Sequence, residues 1–175
     1  TSDNGGLGVA TDNRPLREGK GYVYEGGLRV PLIVKWPGHV EAGTVCDEAV
    51  MGADLYPTIV NMAGGEAGSS LAIDGVDLAP LLRGESALPA RALYWYYPHY
   101  SPQAQQPGAA VRDGNYKYIE FYDPPRQALY DLAADLSEQH DLSEGMPEKA
   151  EALRDQLHQW LVDVDATMHT ANPNR

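Results

Sequence analysis

Between residues 91 and 132 the chain alternates aromatic and polar side chains around a strong turn. The stretches "RALYWYYP", "GAAVRDGNYKYIEFYD" and "QALYDLAAD" are rich in β-forming residues in partial period-two order. "RDGN" between two such runs is a hairpin signal, because its glycine accepts the positive φ that a tight two-residue loop demands. Three or four antiparallel strands are expected here, with a helix laid across them. The last long segment, "MPEKAEALRDQLHQWLVDVDA", supplies that helix. Ala150, Leu153, Leu157, Trp160 and Val164 form one apolar stripe at helical spacing, and Pro147 suits a first helical position. Residues 166–175 read as a loose tail.

The first third has a different texture. Residues 5–27 hold seven glycines and one proline with no sustained period of two or of 3.6, which marks a long irregular connection of the kind that is either functional or disordered. It runs into "RVPLIVKWPG", whose apolar run from Val30 to Trp36 is closed by Pro37-Gly38 and reads as a strand buried on both faces. Such strands belong to parallel sheets covered by helices. "ADLYPTIVNMAGG" is expected to be a helix with Leu55, Ile59 and Met62 on one side, stopped by Gly64-Gly65. "DGVDLAPLLRGE" reads as a turn followed by a short helical piece around Leu78–Leu82. The outline is α/β: the end of a parallel layer, then an antiparallel sheet with a packed helix.

Composition narrows the partners. A hydrophobic fraction of 43%, three Trp and eleven Tyr in 175 residues argue for a folded domain with its own core. A formal charge of −12 makes nucleic acid and anionic membranes poor partners. Residues 1–36 depart from that balance, with five basic groups against four acidic ones, and this local excess favours an anionic ligand there. No apolar run approaches the roughly 18 residues of a membrane span. The single cysteine, Cys46, cannot form an internal disulfide and reads as a packed small apolar residue.

Two places in the glycine-rich block could carry chemistry. Asp3 and Asn4 offer a carboxylate and an amide oxygen, hard donors suited to Ca²⁺ or Mg²⁺, and Gly5-Gly6 permits the turn that would aim both at one ion. A simple Asx turn is the competing reading. Lys20 stands between Gly19 and Gly21, which let the backbone approach a ligand while the ammonium points into a cleft; a solvated surface lysine is the alternative. It is not a P-loop lysine, since no Ser or Thr follows it. Glu25 and Arg29, four apart, are expected to pair and fix the loop. His99 sits among Tyr and Trp residues that suit stacking on a sugar or aryl ring, although a lone histidine near strands is commonly structural. His39, His140, His158 and His169 lie in polar or helical contexts and take the structural reading.

Taken together, "TSDNGG", "LREGKGYVYEGGLRVPLIVKWPG", "DLYPTIVNMAG", "GVDLAPLLRG", "ALYWYYPHY", "AAVRDGNYKYIEFY" and "ALYDLAADLSEQHDL" resemble, in order and spacing, the C-terminal part of the type I, formylglycine-dependent sulfatases. The resemblance runs from residue 1 to about residue 163. It implies an alkaline-phosphatase-like fold, with residues 1–88 closing the catalytic α/β domain and residues 89–165 forming a small antiparallel subdomain. It implies that Asp3 and Asn4 are two calcium ligands and that Lys20 contacts the sulfate. For a sulfatase parent, the aromatic stretch around Tyr96, Tyr97 and His99 is the candidate for the substrate-facing rim. A sulfated small molecule or carbohydrate is the implied substrate, and a periplasmic or secreted parent is favoured. The family's nucleophile, a formylglycine made within C/S-x-P-x-R, is absent, since Cys46 is followed by Asp47-Glu48-Ala49. The paired N-terminal aspartates are absent too. The expected reading is therefore a C-terminal portion, inactive alone and completed by the N-terminal part of the same enzyme. A phosphate or phosphonate ester hydrolase of the same superfamily and a non-catalytic carbohydrate-binding module are the alternatives.

Overall fold

Residues 1–68, 73–103 and 106–167 are described by a computed structural model of the chain. They form two compact units, Thr1–Pro31 with Arg91–Arg175, and Leu32–Ala90.

The first unit is built on the expected meander. Strands β1 (Ala92–Tyr97), β2 (Gly108–Asp113), β3 (Tyr116–Tyr122) and β4 (Pro125–Asp131) pair in sequence order, each antiparallel to the next. Asp113 faces Tyr116 across the β2–β3 hairpin, and Gly114 takes φ +58° as the two-residue loop requires. Both faces of this sheet are covered, and the alternation sorts the side chains between them. On one face Ala109, Val111, Tyr118 and Leu129 pack against helix α4 (Pro147–Asp163) through Ala150, Leu153, Leu157 and Leu161. On the other, Ala110, Ile119, Phe121, Ala128 and Tyr130 pack against Val23 and Tyr24 from the glycine-rich segment. One turn of helix, α1 (Glu25–Leu28), follows directly.

The apolar stripe of α4 differs from the expected one at its end. Leu161 is buried while Val164 is 45% exposed, because positions 150, 153, 157 and 161 keep to one line at 3.6 residues per turn. Trp160 lies at the margin, stacked on Tyr94 with ring centroids 4.8 Å apart.

The second unit contains a 3-10 turn at Gly52–Asp54, helix α2 (Leu55–Met62) and helix α3 (Ala79–Leu82). Its hub is polar. The buried carboxylate of Asp54 accepts from the backbone N–H groups of Met51 (2.8 Å) and Val76 (2.9 Å), and Thr58 Oγ1 accepts from that of Leu78 (2.8 Å).

Two expectations fail in this unit. The apolar run Val30–Trp36 forms no strand: it has no ladder partner among the described residues, and Ile33 is 85% exposed. A strand buried on both faces needs neighbours on both edges and layers above and below, and nothing described supplies them. Cys46 is exposed rather than packed, since the irregular segment around it touches no core. His169 and most of the expected tail lie outside the described residues. His39 stacks on Trp36, with centroids 4.3 Å apart.

Candidate functional site

The glycine-rich block is a knitted loop. Gly5 N–H donates to Gly27 O (2.9 Å), Lys20 N–H to Gly6 O (3.0 Å) and Gly26 N–H to Arg17 O (2.8 Å). Asn13 adds its side-chain amide to Gly6 O at 2.7 Å. Gly5 is required here: a Cβ on it would sit 1.7 Å from Gly26 O, so no larger residue lets these two stretches meet. The irregular sequence thus yields an ordered loop by exchanging backbone bonds with itself.

This pairing ties the Lys20 backbone to Gly6, two residues from Asn4. Lys20 is exposed. Asp3 is exposed as well, its carboxylate 3.4 Å from Ser2 Oγ. Asn4, half-buried, donates its amide nitrogen to Gly5 O at 2.9 Å, so its side-chain oxygen is not used in that bond. A carboxylate and an amide oxygen of this kind fit a hard cation. Two donors fall short of the six to eight oxygens calcium takes, and no group of three or more His, Cys, Asp and Glu able to hold a metal occurs among the described residues.

The aromatic candidates lie at the end of β1. Tyr97 pairs with Gly108 and packs against the core shared with Val23 and Tyr24, and the exposed His99 ring meets it edge-on at 5.7 Å. Beyond His99 the chain returns to the lysine loop. Tyr22 donates its hydroxyl to Gln103 O, and Gly21 takes φ +88°, where a side chain is strained, with Ser101 Oγ 2.3 Å from where its Cβ would lie. The segments carrying Lys20 and His99 therefore abut.

Beneath the loop is a buried ion cluster absent from the sequence reading. Lys117, fully buried, places Nζ 2.9 Å from both Glu25 Oε1 and Glu138 Oε1. Glu138 Oε2 accepts from Glu25 N–H at 2.7 Å, and Glu138 O accepts from Arg17 Nη1 at 2.7 Å. Arg17 also donates to the Tyr130 hydroxyl (3.1 Å) and covers the Tyr24 ring at 4.0 Å. Burial pushes the Glu138 carboxyl above the usual range, opposed by the Lys117 charge and the Glu25 N–H. Burial likewise raises the Tyr130 hydroxyl to about 12, with the Tyr24 ring adding to the shift. The expected Glu25–Arg29 pair is present at 3.9 Å but secondary, since Arg29 is exposed and Lys117 holds the other oxygen. Lys117 had a readable signal: it shares the face of Ile119 and Phe121, where a charge demands a buried partner.

An antiparallel meander is covered on one face by a helix and on the other by a glycine-rich loop that carries hard donors and a cation. The match to the family described as "N-sulphoglucosamine sulphohydrolase, C-terminal" covers residues 18–167, and the chain belongs to that sulfatase family. A sulfatase of Formosa agariphila is 34% identical over 180 residues, covering 94% of this chain and 32% of its own length. The crystal structure of Ps i-CgsB in complex with k-i-k-neocarrahexaose superposes with a TM-score of 0.77 at 28% identity, covering 97% of this chain and 37% of its own. The structure of BT4656 in complex with its substrate D-glucosamine-2-N,6-O-disulfate gives a TM-score of 0.69 at 28% identity, covering 80% and 29%. The chain thus spans about a third of the length of the relatives it matches. No helix among the described residues is long and apolar enough to cross a membrane.

Proposed function

We propose that this chain is the C-terminal portion of an enzyme that hydrolyses sulfate esters of saccharides, and that Lys20, Asp3 and Asn4 are its share of the active site. The observation that supports this reading is the Lys20 N–H to Gly6 O bond, which ties the backbone of the glycine-flanked lysine to a residue two positions from Asn4. Lys20 stabilises the negative charge on the sulfuryl oxygens as the ester bond breaks. Asp3 and Asn4 would be two of the ligands of a calcium ion, with the remaining ligands and the formylglycine nucleophile supplied by the rest of the parent enzyme. Such an ion would supply further neutralisation of negative charge on the ester group. Tyr97 and His99 form the rim against which a sugar ring rests. The complex of BT4656 with a sulfated glucosamine supports the saccharide assignment. Alone, the chain hydrolyses no sulfate ester.

The test is Lys20→Ala in the intact enzyme, assayed on 4-nitrophenyl sulfate and on a sulfated glucosamine. The expected loss in kcat/KM is about 10²- to 10³-fold, the scale of removing one donor to a developing oxyanion. Turnover close to that of the parent removes Lys20 from the sulfate site. A preference for 4-nitrophenyl phosphate over the sulfate replaces sulfuryl chemistry with phosphoryl chemistry.

A further inference from the structure

We infer that Glu138 is a positioning residue for Lys20, clamping both ends of the loop that presents it; this rests on the reading of Lys20 given above. The stretch runs from the half-buried Arg17 to the buried Glu25, and Lys20 is exposed between the buried Gly19 and the half-buried Gly21. Both of its ends are tied to one residue. The Arg17 guanidinium donates to the Glu138 carbonyl at 2.7 Å, and the Glu25 N–H donates to the Glu138 carboxylate at 2.7 Å. The second carboxylate oxygen lies against Lys117, which also holds the side chain of Glu25, so the clamp is anchored in the sheet.

Glu138 is itself preset. It has φ +52°, a backbone state that non-glycine residues seldom adopt. Asp135 enforces it by accepting from Ser137 Oγ (3.1 Å) and from the N–H groups of Gln139 and His140 (2.7 Å each). A strained, fully buried carboxylate with a lysine and two loop ends as partners contributes little to stability that an apolar residue would not. What it does provide is a fixed loop geometry. Displacing a group that contacts the reacting atoms by about 1 Å costs on the order of 10²-fold in rate.

Glu138→Gln keeps the volume but can accept only one of the two bonds that the carboxylate faces, so the clamp loosens without a cavity. Three enzymes are compared with the parent in the intact protein: Glu138→Gln, Lys20→Ala and the double variant. Glu138→Gln is expected to lower kcat/KM on 4-nitrophenyl sulfate about 10- to 100-fold. In the Lys20→Ala background the same change is expected to add nothing, because it acts only through that ammonium. Hydrogen exchange at the Lys20 and Tyr22 amides is expected to quicken in Glu138→Gln while the β3 amides stay protected.

Equal losses in both backgrounds overturn the positioning role and leave a general structural one. Unchanged exchange in the loop overturns the clamp whatever the kinetics. Faster exchange with a Lys20→Ala variant as active as the parent removes the sulfate reading of Lys20, and the positioning role falls with it. Should Glu138→Gln fail to fold, Arg17→Gln severs the other end of the clamp, leaves the buried ion cluster intact, and enters the same comparison.

Discussion

Glu138 carries a prediction that separates its effect on stability from its effect on the loop. Its carboxyl is raised above the ordinary value of 4.5, so the folded state holds that proton more tightly than the unfolded chain. That contribution is fully present below 4.5 and is lost as pH rises through the folded value. Glutamine never ionises and suffers no such loss, while Lys117 keeps Glu25 as its partner. The melting temperature of Glu138→Gln relative to the parent should therefore rise between about pH 4 and pH 7 in a thermal unfolding series. A relative melting temperature that falls over this range would mean the ionised carboxylate stabilises the fold, against the dominance of burial. Little of this was legible beforehand. Asp3, Asn4 and Lys20 stand out because glycines flank them and their chemistry is local. Glu138 meets Glu25 across 113 residues of sequence, and its role depends on a positive φ that no neighbouring residue type announces.

At the scale of elements, the sheet and its helix were readable because each signal is periodic and local. Period two in the aromatic stretch gave β1 to β4, the glycine turn set the β2–β3 register, and Pro147 with a stripe of leucines gave α4. The end of that stripe was misjudged, since Trp160 and Leu161 are both apolar and only packing decides between them. Energetics follow packing. Leu157 is fully buried between α4 and the sheet, so Leu157→Ala should destabilise the first unit by about 2–5 kcal/mol through lost transfer energy and a cavity. Val164→Ala, at a position 45% exposed, should stay within about 0.5 kcal/mol. Denaturant midpoints of the two variants measure the difference directly. Comparable losses would show that the helix buries Val164 after all.

Over the whole molecule, burial is unevenly shared between the two units. The first holds two apolar clusters on opposite faces of one sheet, whereas the second buries few apolar side chains beyond Leu78 and Ala79 and leaves Ile33 85%, Val45 87% and Ile59 61% exposed. A stretch such as "PLIVKW" reads as a buried strand because its composition asks for burial, whereas in the chain it forms no strand and leaves Ile33 exposed. Backbone partners were the missing ingredient, and a sequence window cannot say whether its neighbours lie within reach. The chain covers 32% of the Formosa relative's length, and under the proposed function the remainder of the parent contains the sheet that this run would join. Segments with few buried contacts open with little free energy and exchange their amides quickly. In the 175-residue chain the amides of Leu32, Ile33 and Val34 should therefore exchange near the unprotected rate, while those of Tyr118 and Ile119 in β3 stay protected. In the intact enzyme the same three amides should slow by orders of magnitude, because ladder bonds and a covering layer become available together. Equal rates in the two proteins would mean that residues 30–36 are a surface loop in the parent as well, and that the apolar run serves some purpose other than a strand.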